Sequence, residues 1–183
     1  FLTKFSINFE REILKESVGY QDQIHASYGG FNLIKFYKAN NFKVQVITDK
    51  KKIKKISDNL FLVFTNLTRR ASKIEKKKIS KIKKNFGLLT SINNLANKSN
   101  EIFTKDLHED IFGELLAENW ELKKKLDPNV SNPIIDKIYK KGISSGALGG
   151  KLLGAGAGGF ILFYVKKKNQ KKFFNWLKKN EII

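Results

Sequence analysis

The chain has 183 residues, 41% of them hydrophobic, which is enough to build the core of one ordinary domain or of parts of two. It has no cysteine, which excludes disulfides and thiolate metal sites, and no apolar run of about 18 residues that would predict a transmembrane helix. The formal net charge of +19 leaves a nucleic-acid partner open. We expect a cytoplasmic protein with no membrane partner.

The first part of the chain predicts a helix and then a pair of strands. Residues 5–16 predict an amphipathic helix whose apolar side chains fall near one face. Residues 31–37 and 42–48 predict two strands, with the turn between them at residues 39–41. The lysine-rich stretch 49–55 indicates a connector between two domains. The apolar residues assigned to one face of the first helix are Phe5, Phe9, Ile13 and Leu14.

The second part predicts a strand, several helices, a second strand and a last helix. Residues 60–65 predict a buried strand, and a helix follows with Ile74, Ile79, Ile82 and Phe86 on one face. Asp106 and Glu109 have the spacing of a capping box for the next helix. This order of elements favours an α+β fold with helices on one face of a small sheet.

The remaining predicted elements lie towards the end of the chain. The helix that follows the capping box stops at Asp127-Pro128, and Asn132-Pro133 begins another that ends near Gly142. Residues 160–165 predict a second buried strand, and residues 168–179 predict a last helix. Its inward side chains are predicted to be Phe173, Phe174 and Leu177.

The densest glycine segment, GALGGKLLGAGAGGF at residues 146–160, is the best candidate for a binding loop. Glycines this close together let the backbone approach a ligand and adopt positive φ, and successive N–H groups can form an anion-binding nest. The segment lacks the Gly-Lys-Ser/Thr of a Walker loop and fits the dinucleotide-binding fingerprint poorly. A tight turn between two buried strands remains the alternative.

This glycine segment resembles the third conserved motif of the GHMP kinases, and other segments resemble that family in the same order along nearly the whole chain. Residues 19–23, GYQDQ, and 28–32, YGGFN, resemble its catalytic-acid segment. Residues 62–72 resemble the strand and helix start that open its second domain. The heptose 7-phosphate kinase branch shares stretches similar to GELL at 113–116, WELK at 120–123 and VSNP at 130–133.

The resemblance implies the end of an S5-like N-terminal domain at residues 1–50 and a ferredoxin-like C-terminal domain at residues 56–183. It implies an ATP- and Mg²⁺-dependent kinase that transfers the γ-phosphate to a hydroxyl of a heptose 7-phosphate or a related sugar. Asp22 would orient and deprotonate that hydroxyl, or stabilise its developing charge. It would therefore lie within a side chain's reach of the loop at residues 154–159.

Further site residues follow from the same resemblance. Arg69 and Thr68, at a predicted helix start, would hold the phosphate of the acceptor. The other expected substrate-binding residues are Gln21, Gln23, Gly29 and Gly30. The expected phosphate loop comprises Gly150, Lys151, Gly154, Ala155, Gly156, Ala157, Gly158 and Gly159. His25 and His108 lack the spacing of a metal-binding pair, so we expect no protein metal site.

Two positions depart from the family pattern. Ala157 stands where the family loop usually has glycine, which costs about 1 kcal/mol if the position requires positive φ. Asn66 stands where relatives often have glycine, a mild change because asparagine tolerates the left-handed region.

Other readings remain open. Related kinases bind ATP through a Pro-x-Gly-Leu-Gly-Ser-Ser loop upstream of the catalytic acid, and no such loop occurs among these residues. We therefore expect a fragment that is inactive alone. The alternatives are an inactive remnant or a basic nucleic-acid-binding module, although lysines opposite apolar helix faces and scarce arginine make nucleic acid a weak expectation. The oligomeric state is left open.

Overall fold

The computed structural model describes residues 1–16, 19–38, 41–68 and 85–179, and the chain divides into two compact units, Phe1–Lys50 and Lys51–Ile183. Within the described ranges, no helix has both the length and the apolar character needed to cross a membrane.

The first unit contains two helices and one strand pair. Helix α1 spans Leu2–Asn8 and continues through a π-type segment at Phe9–Ile13, and helix α2 spans Gln21–Tyr28. Strands β1, Asn32–Phe36, and β2, Phe42–Val46, pair antiparallel. The predicted helix and strand pair are confirmed.

The apolar face predicted for the first helix is exposed rather than buried. Phe5 is 56% exposed and Ile13 is 61% exposed. The rings of Phe5 and Phe9 stack on each other along the helix, with centroids 6.2 Å apart. A period of 3.6 residues places such side chains together on one face, and it does not by itself specify what covers them.

A three-stranded antiparallel sheet lies at the centre of the second unit. Strand β3 spans Leu60–Phe64, β4 spans Gly149–Leu152 and β5 spans Phe160–Tyr164, in the spatial order β3-β5-β4. The helices are α3, Lys50–Ser57; α4, Phe86–Thr104; α5, Ile111–Leu126; α6, Pro133–Ser144; and α7, Gln170–Lys179. Short 3₁₀ turns occur at Pro128–Val130 and Lys167–Asn169.

Helices cover both faces of this sheet, so the expectation of helices on one face is wrong. One hydrophobic cluster joins Phe163 of β5 to side chains of α5, α6 and α7, including Trp120 and Phe173. A second cluster joins Tyr164, the next residue of β5, to α3, α4 and α5, including Ile56. Successive strand residues point to opposite faces, so the two clusters lie on opposite sides of the sheet.

The stretch 49–55 is not a plain connector, because most of it lies in helix α3. Lys52 of this helix is buried, and its ammonium donates to the backbone carbonyl of Ile102 at 2.9 Å and to that of Leu107 at 3.2 Å. It also pairs with the carboxylate of Asp106. A buried charge is tolerated when it is paired and hydrogen-bonded, which explains how this lysine-rich segment packs as a helix.

The helix predicted to begin after Asp106 begins at Ile111 instead, with Asp110 at its N-cap position. Asp106 adopts a positive φ of 50° and pairs with Lys52, so it caps no helix. The prediction that this helix stops at Asp127-Pro128 is confirmed. So is the helix start at Asn132-Pro133, because the Asn132 side chain accepts from the backbone N–H groups of Ile134 and Ile135 at 3.0 Å.

The remaining predicted helices and one strand agree with the structure only in part. The predicted helix through Ile74, Ile79 and Ile82 lies outside the described residues, and Phe86 begins helix α4, which was not predicted as such. Strand β4 was predicted as part of a loop. In α7 the inward positions Phe173 and Leu177 are confirmed, whereas Phe174 is 43% exposed.

Helix α5 crosses strand β4 at backbone contact distance. A Cβ added to Gly149 would lie 2.0 Å from the carbonyl oxygen of Gly113. A Cβ added to Gly113 would lie 2.8 Å from the ring of Tyr164. This crossing therefore requires glycine on both elements, and it fixes the position of α5 beside the glycine loop.

Candidate functional site

The predicted acid lies in the first turn of helix α2. Asp22 is exposed there, and Gln21 beside it is exposed as well. Gln23 is only 6% exposed, and its side-chain Nε2 donates to the carboxylate of Glu10 on the preceding helix. The Oε1 atom of Gln23 is buried and has no hydrogen-bond partner among the residues that the structure describes.

A pocket of about 520 Å³ surrounds this acid within the first unit. Its lining residues are Leu2, Phe5, Ser6, Glu10, Asp22, Gln23, Ala26 and Ser27. Two carboxylates therefore face one pocket, and the sequence analysis identified only that of Asp22. Glu10 lies on the first helix, and the pattern of that helix alone does not indicate which of its residues face Asp22 on the second.

Gly29 and Gly30 lie at the opposite end of helix α2. They have φ values of 61° and 70°, and the Gly29 N–H donates to the carbonyl of His25 at 2.9 Å, which closes the helix. Neither glycine lines the pocket of Asp22. In this unit the structure thus brings Asp22 and Gln23 together and leaves the two glycines as a helix C-terminus, a common use of glycine.

The expected phosphate loop divides into a strand and a hairpin loop. Gly150 and Lys151 lie in strand β4, whereas residues 153–159 form the loop between β4 and β5. The Leu153 N–H donates to the Phe160 carbonyl at 2.9 Å and closes the hairpin. Four loop residues have positive φ: Gly154 at 61°, Gly156 at 105°, Ala157 at 55° and Gly159 at 92°.

Neighbouring backbone segments hold this loop in place. The Ala157 N–H donates to the Val130 carbonyl at 2.6 Å, and the Gly159 N–H donates to the Leu67 carbonyl at 2.9 Å. A Cβ on Gly156 would lie 2.5 Å from the Cβ of Val130, and one on Gly158 would lie 2.6 Å from the Leu67 carbonyl oxygen. The loop therefore packs too closely against both segments for larger residues.

Helix α5 also contacts the loop through one lysine side chain. The Lys123 ammonium donates to the carbonyl of Leu152 at 3.0 Å and to that of Gly154 at 2.6 Å. These two carbonyls belong to the end of β4 and the beginning of the loop.

A second pocket, of about 380 Å³, opens beside the loop within the second unit. Its lining residues are Phe64, Leu67, Thr68, Leu153, Gly154, Ala155, Gly158, Gly159 and Phe160. Thr68 is exposed there, as expected for a residue that could contact a ligand. Arg69 lies outside the described residues. The structure thus brings Thr68 together with the loop glycines.

Several known proteins resemble this chain in sequence. Residues 103–180 match the family described as GHMP kinases C terminal. The chain carries the C-terminal domain of the GHMP kinases. Over 98% of its length it is 34% identical to D-glycero-alpha-D-manno-heptose 7-phosphate kinase of Campylobacter jejuni, of which it spans 54%.

Solved structures also resemble the chain. A protein from Campylobacter jejuni assigned as a sugar kinase is 32% identical, with a TM-score of 0.67 over 97% of this chain and 50% of that one. Methanococcus jannaschii mevalonate kinase is 26% identical, with a TM-score of 0.71 over 97% of this chain and 52% of that one. The α+β fold is therefore that of the GHMP kinases, and the chain spans about half the length of these relatives.

The two departures from the GHMP kinase pattern have the predicted backbone conformation. Ala157 and Asn66 both have φ of 55°, in the left-handed region. For asparagine this conformation is common, whereas alanine there is strained. Hydrogen bonds hold Ala157 on both sides, since its N–H reaches Val130 and its carbonyl accepts from the Asn132 side chain at 3.5 Å.

Charge near the loop is positive, and no metal cluster lies in the described residues. Burial lowers the pKa of Lys151, in strand β4, below its usual value. In residues 1–16, 19–38, 41–68 and 85–179, no group of three or more acidic or histidine side chains could hold a metal ion. A Mg²⁺ ion bound mainly by nucleotide phosphates needs only one or two protein carboxylates, a requirement that Glu10 and Asp22 fit.

Proposed function

We propose that this chain is part of an ATP-dependent GHMP sugar kinase that phosphorylates a hydroxyl of a heptose 7-phosphate or a closely related sugar phosphate. The observation that carries the proposal is the 34% identity to a heptose 7-phosphate kinase, which extends over 98% of this chain. That range includes both the acid segment at residues 19–32 and the glycine loop. Finding both segments in one alignment favours a kinase over a lone anion-binding turn.

Asp22 is the proposed catalytic carboxylate. Phosphoryl transfer requires mainly a positioned acceptor hydroxyl and neutralised phosphates, often with a carboxylate that accepts the hydroxyl proton. Asp22 is exposed and lines the 520 Å³ pocket, so a sugar hydroxyl can reach it. Glu10 in the same pocket is the proposed second carboxylate, available to a Mg²⁺ ion that arrives with ATP.

The glycine loop is the proposed phosphate-binding element. Its left-handed residues turn the backbone beside the 380 Å³ pocket, where N–H groups can face an anion. Thr68 lines that pocket and would donate to a phosphate oxygen. Arg69 follows it directly in the sequence, and we propose that it pairs with the phosphate of the acceptor.

The test is a comparison of Asp22→Asn with Asp58→Asn in the full-length kinase that we propose contains this chain, with ADP release measured in the presence of heptose 7-phosphate. We expect Asp22→Asn to lower kcat at least about a hundredfold, because the amide cannot accept the hydroxyl proton. Asp58 is an exposed partner of Lys54 and serves as the matched control, expected to leave kcat unchanged. Equal activity of the two variants would remove Asp22 from the proposed reaction.

The same assay on the isolated 183 residues tests whether they act alone. We propose that they do not turn over ATP, because they contain no Pro-x-Gly-Leu-Gly-Ser-Ser segment to bind it. Phosphoryl transfer by this polypeptide at the rate of a full-length heptose kinase would contradict the proposal that these residues do not turn over ATP alone.

A further inference from the structure

Lys123 lies in one of the three stretches that resemble the heptose 7-phosphate kinase branch. The structure connects two of those stretches with the glycine loop. Lys123 donates to the carbonyls of Leu152 and Gly154, while the stretch at residues 130–133 bonds Ala157 through the Val130 carbonyl and the Asn132 side chain. The two stretches hold opposite ends of the loop.

We propose that Lys123 is a positioning residue that holds the glycine loop in its ligand-binding conformation. The proposal rests on the proposed function of that loop in binding phosphate. Lys123 comes from helix α5, whose contact with β4 at Gly113 and Gly149 allows no side chain between the backbones. The ammonium thus reaches the loop from a helix whose own position is fixed.

The contact restrains one peptide plane from both sides. In a trans peptide the carbonyl and the following N–H point in opposite directions. The Leu152 carbonyl accepts from Lys123, and the N–H of Leu153 in the same peptide donates to the Phe160 carbonyl. The bond to the Gly154 carbonyl extends this restraint to the first left-handed residue, whose φ is 61°.

Removing the ammonium should loosen the loop more than it destabilises the domain. Without Lys123 the carbonyl of the fully buried Leu152 loses its charged donor, and Gly154 becomes free to leave its left-handed conformation. A loop that must be ordered when the ligand binds loses conformational entropy, and this cost weakens the binding free energy. The expected effect is on the affinity for the nucleotide phosphates rather than on the chemical step.

The experiment compares Lys123→Met, Lys123→Arg and Lys125→Met in the full-length kinase that we propose contains this chain. Lys125 is exposed on the same helix and serves as the matched control. We expect Lys123→Met to raise the KM for ATP at least about tenfold, to change kcat less, and to speed hydrogen exchange of the amides at residues 153–159. Lys123→Arg keeps two donors and a charge, so it should recover most of the affinity.

The outcomes separate this proposal from the proposed function. If Lys123→Met lowers kcat or thermal stability with an unchanged KM and unchanged loop exchange, the lysine is only a structural contact and the proposal is wrong. If Lys123→Met does not fold, Lys123→Gln, which keeps a donor without the charge, is measured in the same way. If the wild type binds neither ATP nor tripolyphosphate, the proposed function fails, whereas faster loop exchange in the variant still supports the restraint.

Discussion

The glycine loop allows a paired test of two glycines that both have positive φ and differ in their surroundings. Gly154, with φ of 61°, has no atom within 4 Å of an added Cβ. Gly156, with φ of 105°, would place a Cβ 2.5 Å from the Cβ and 2.7 Å from the Cα of Val130. Gly154→Ala therefore measures the strain of a left-handed alanine alone, and Gly156→Ala adds a collision with a buried neighbour and the strain of a φ further from the left-handed region.

The two costs can be estimated separately. A left-handed alanine costs about 1–2 kcal/mol, and the stiffer unfolded chain offsets roughly 0.4–1 kcal/mol of it, so Gly154→Ala should lower the unfolding free energy by about 0.5–1 kcal/mol. For Gly156→Ala an overpacking cost of roughly 1–3 kcal/mol is added, for a total of about 2–4 kcal/mol. The closest backbone atom is the Cα of Val130, so Val130→Ala should not rescue the variant.

Urea unfolding followed by circular dichroism measures both variants against wild type. A separation of at least about 1 kcal/mol between them is expected, with unchanged dependence on urea concentration. Equal destabilisation by the two substitutions would show that the loop can move away from Val130. That result would refute the conclusion that close packing holds the loop.

Two further predictions concern Ala157 and the buried tyrosines. Ala157→Gly should raise the unfolding free energy by about 0.5–1 kcal/mol, because relief of left-handed strain exceeds the added entropy of the unfolded chain, and a lower urea midpoint than wild type would contradict this. Burial raises the pKa of Tyr164 from 10.0 to about 12, and burial together with the charge of Glu121 does the same for Tyr139. Because the folded pKa is raised, their contribution to stability is complete below pH 10 and is lost as the pH rises through 12. In a near-ultraviolet titration two tyrosines should ionise late, and Tyr164→Phe should leave one; an unchanged late step would sink this assignment.

Local chemistry made several elements predictable from sequence. The Asn132 side chain accepts from helix N–H groups, and Pro133 has no N–H that would be left without an acceptor. Helix α6 starts there. The strand pair at residues 32–46 follows its own alternation. The left-handed backbone at Ala157 entered the sequence analysis only as a condition, which came from the family resemblance rather than from alanine's own preference.

Other elements depend on distant contacts and could not be predicted. Gly149 and Gly150 have a loop-like composition, yet they form strand β4 because α5 and Phe163 approach too closely for a side chain. Lys52 looks like a surface residue in a run of lysines until the carbonyls of Ile102 and Leu107 surround it. Glu10 entered the candidate site through a pocket formed with a second helix, which a single helix pattern does not reveal.

Helix α5 connects its close contact with strand β4, where Gly113 crosses Gly149, to the glycine loop that Lys123 contacts. Gly113 and Lys123 are separated by ten residues of one continuous helix, or about 15 Å. If a rigid helix rotates about a point near one end, its other end moves most. A small rotation at the crossing would therefore carry the Lys123 ammonium away from the two carbonyls that it reaches at 3.0 and 2.6 Å. Substitutions at Gly149, which does not line the pocket beside the loop, should therefore change the affinity of the glycine loop for phosphate.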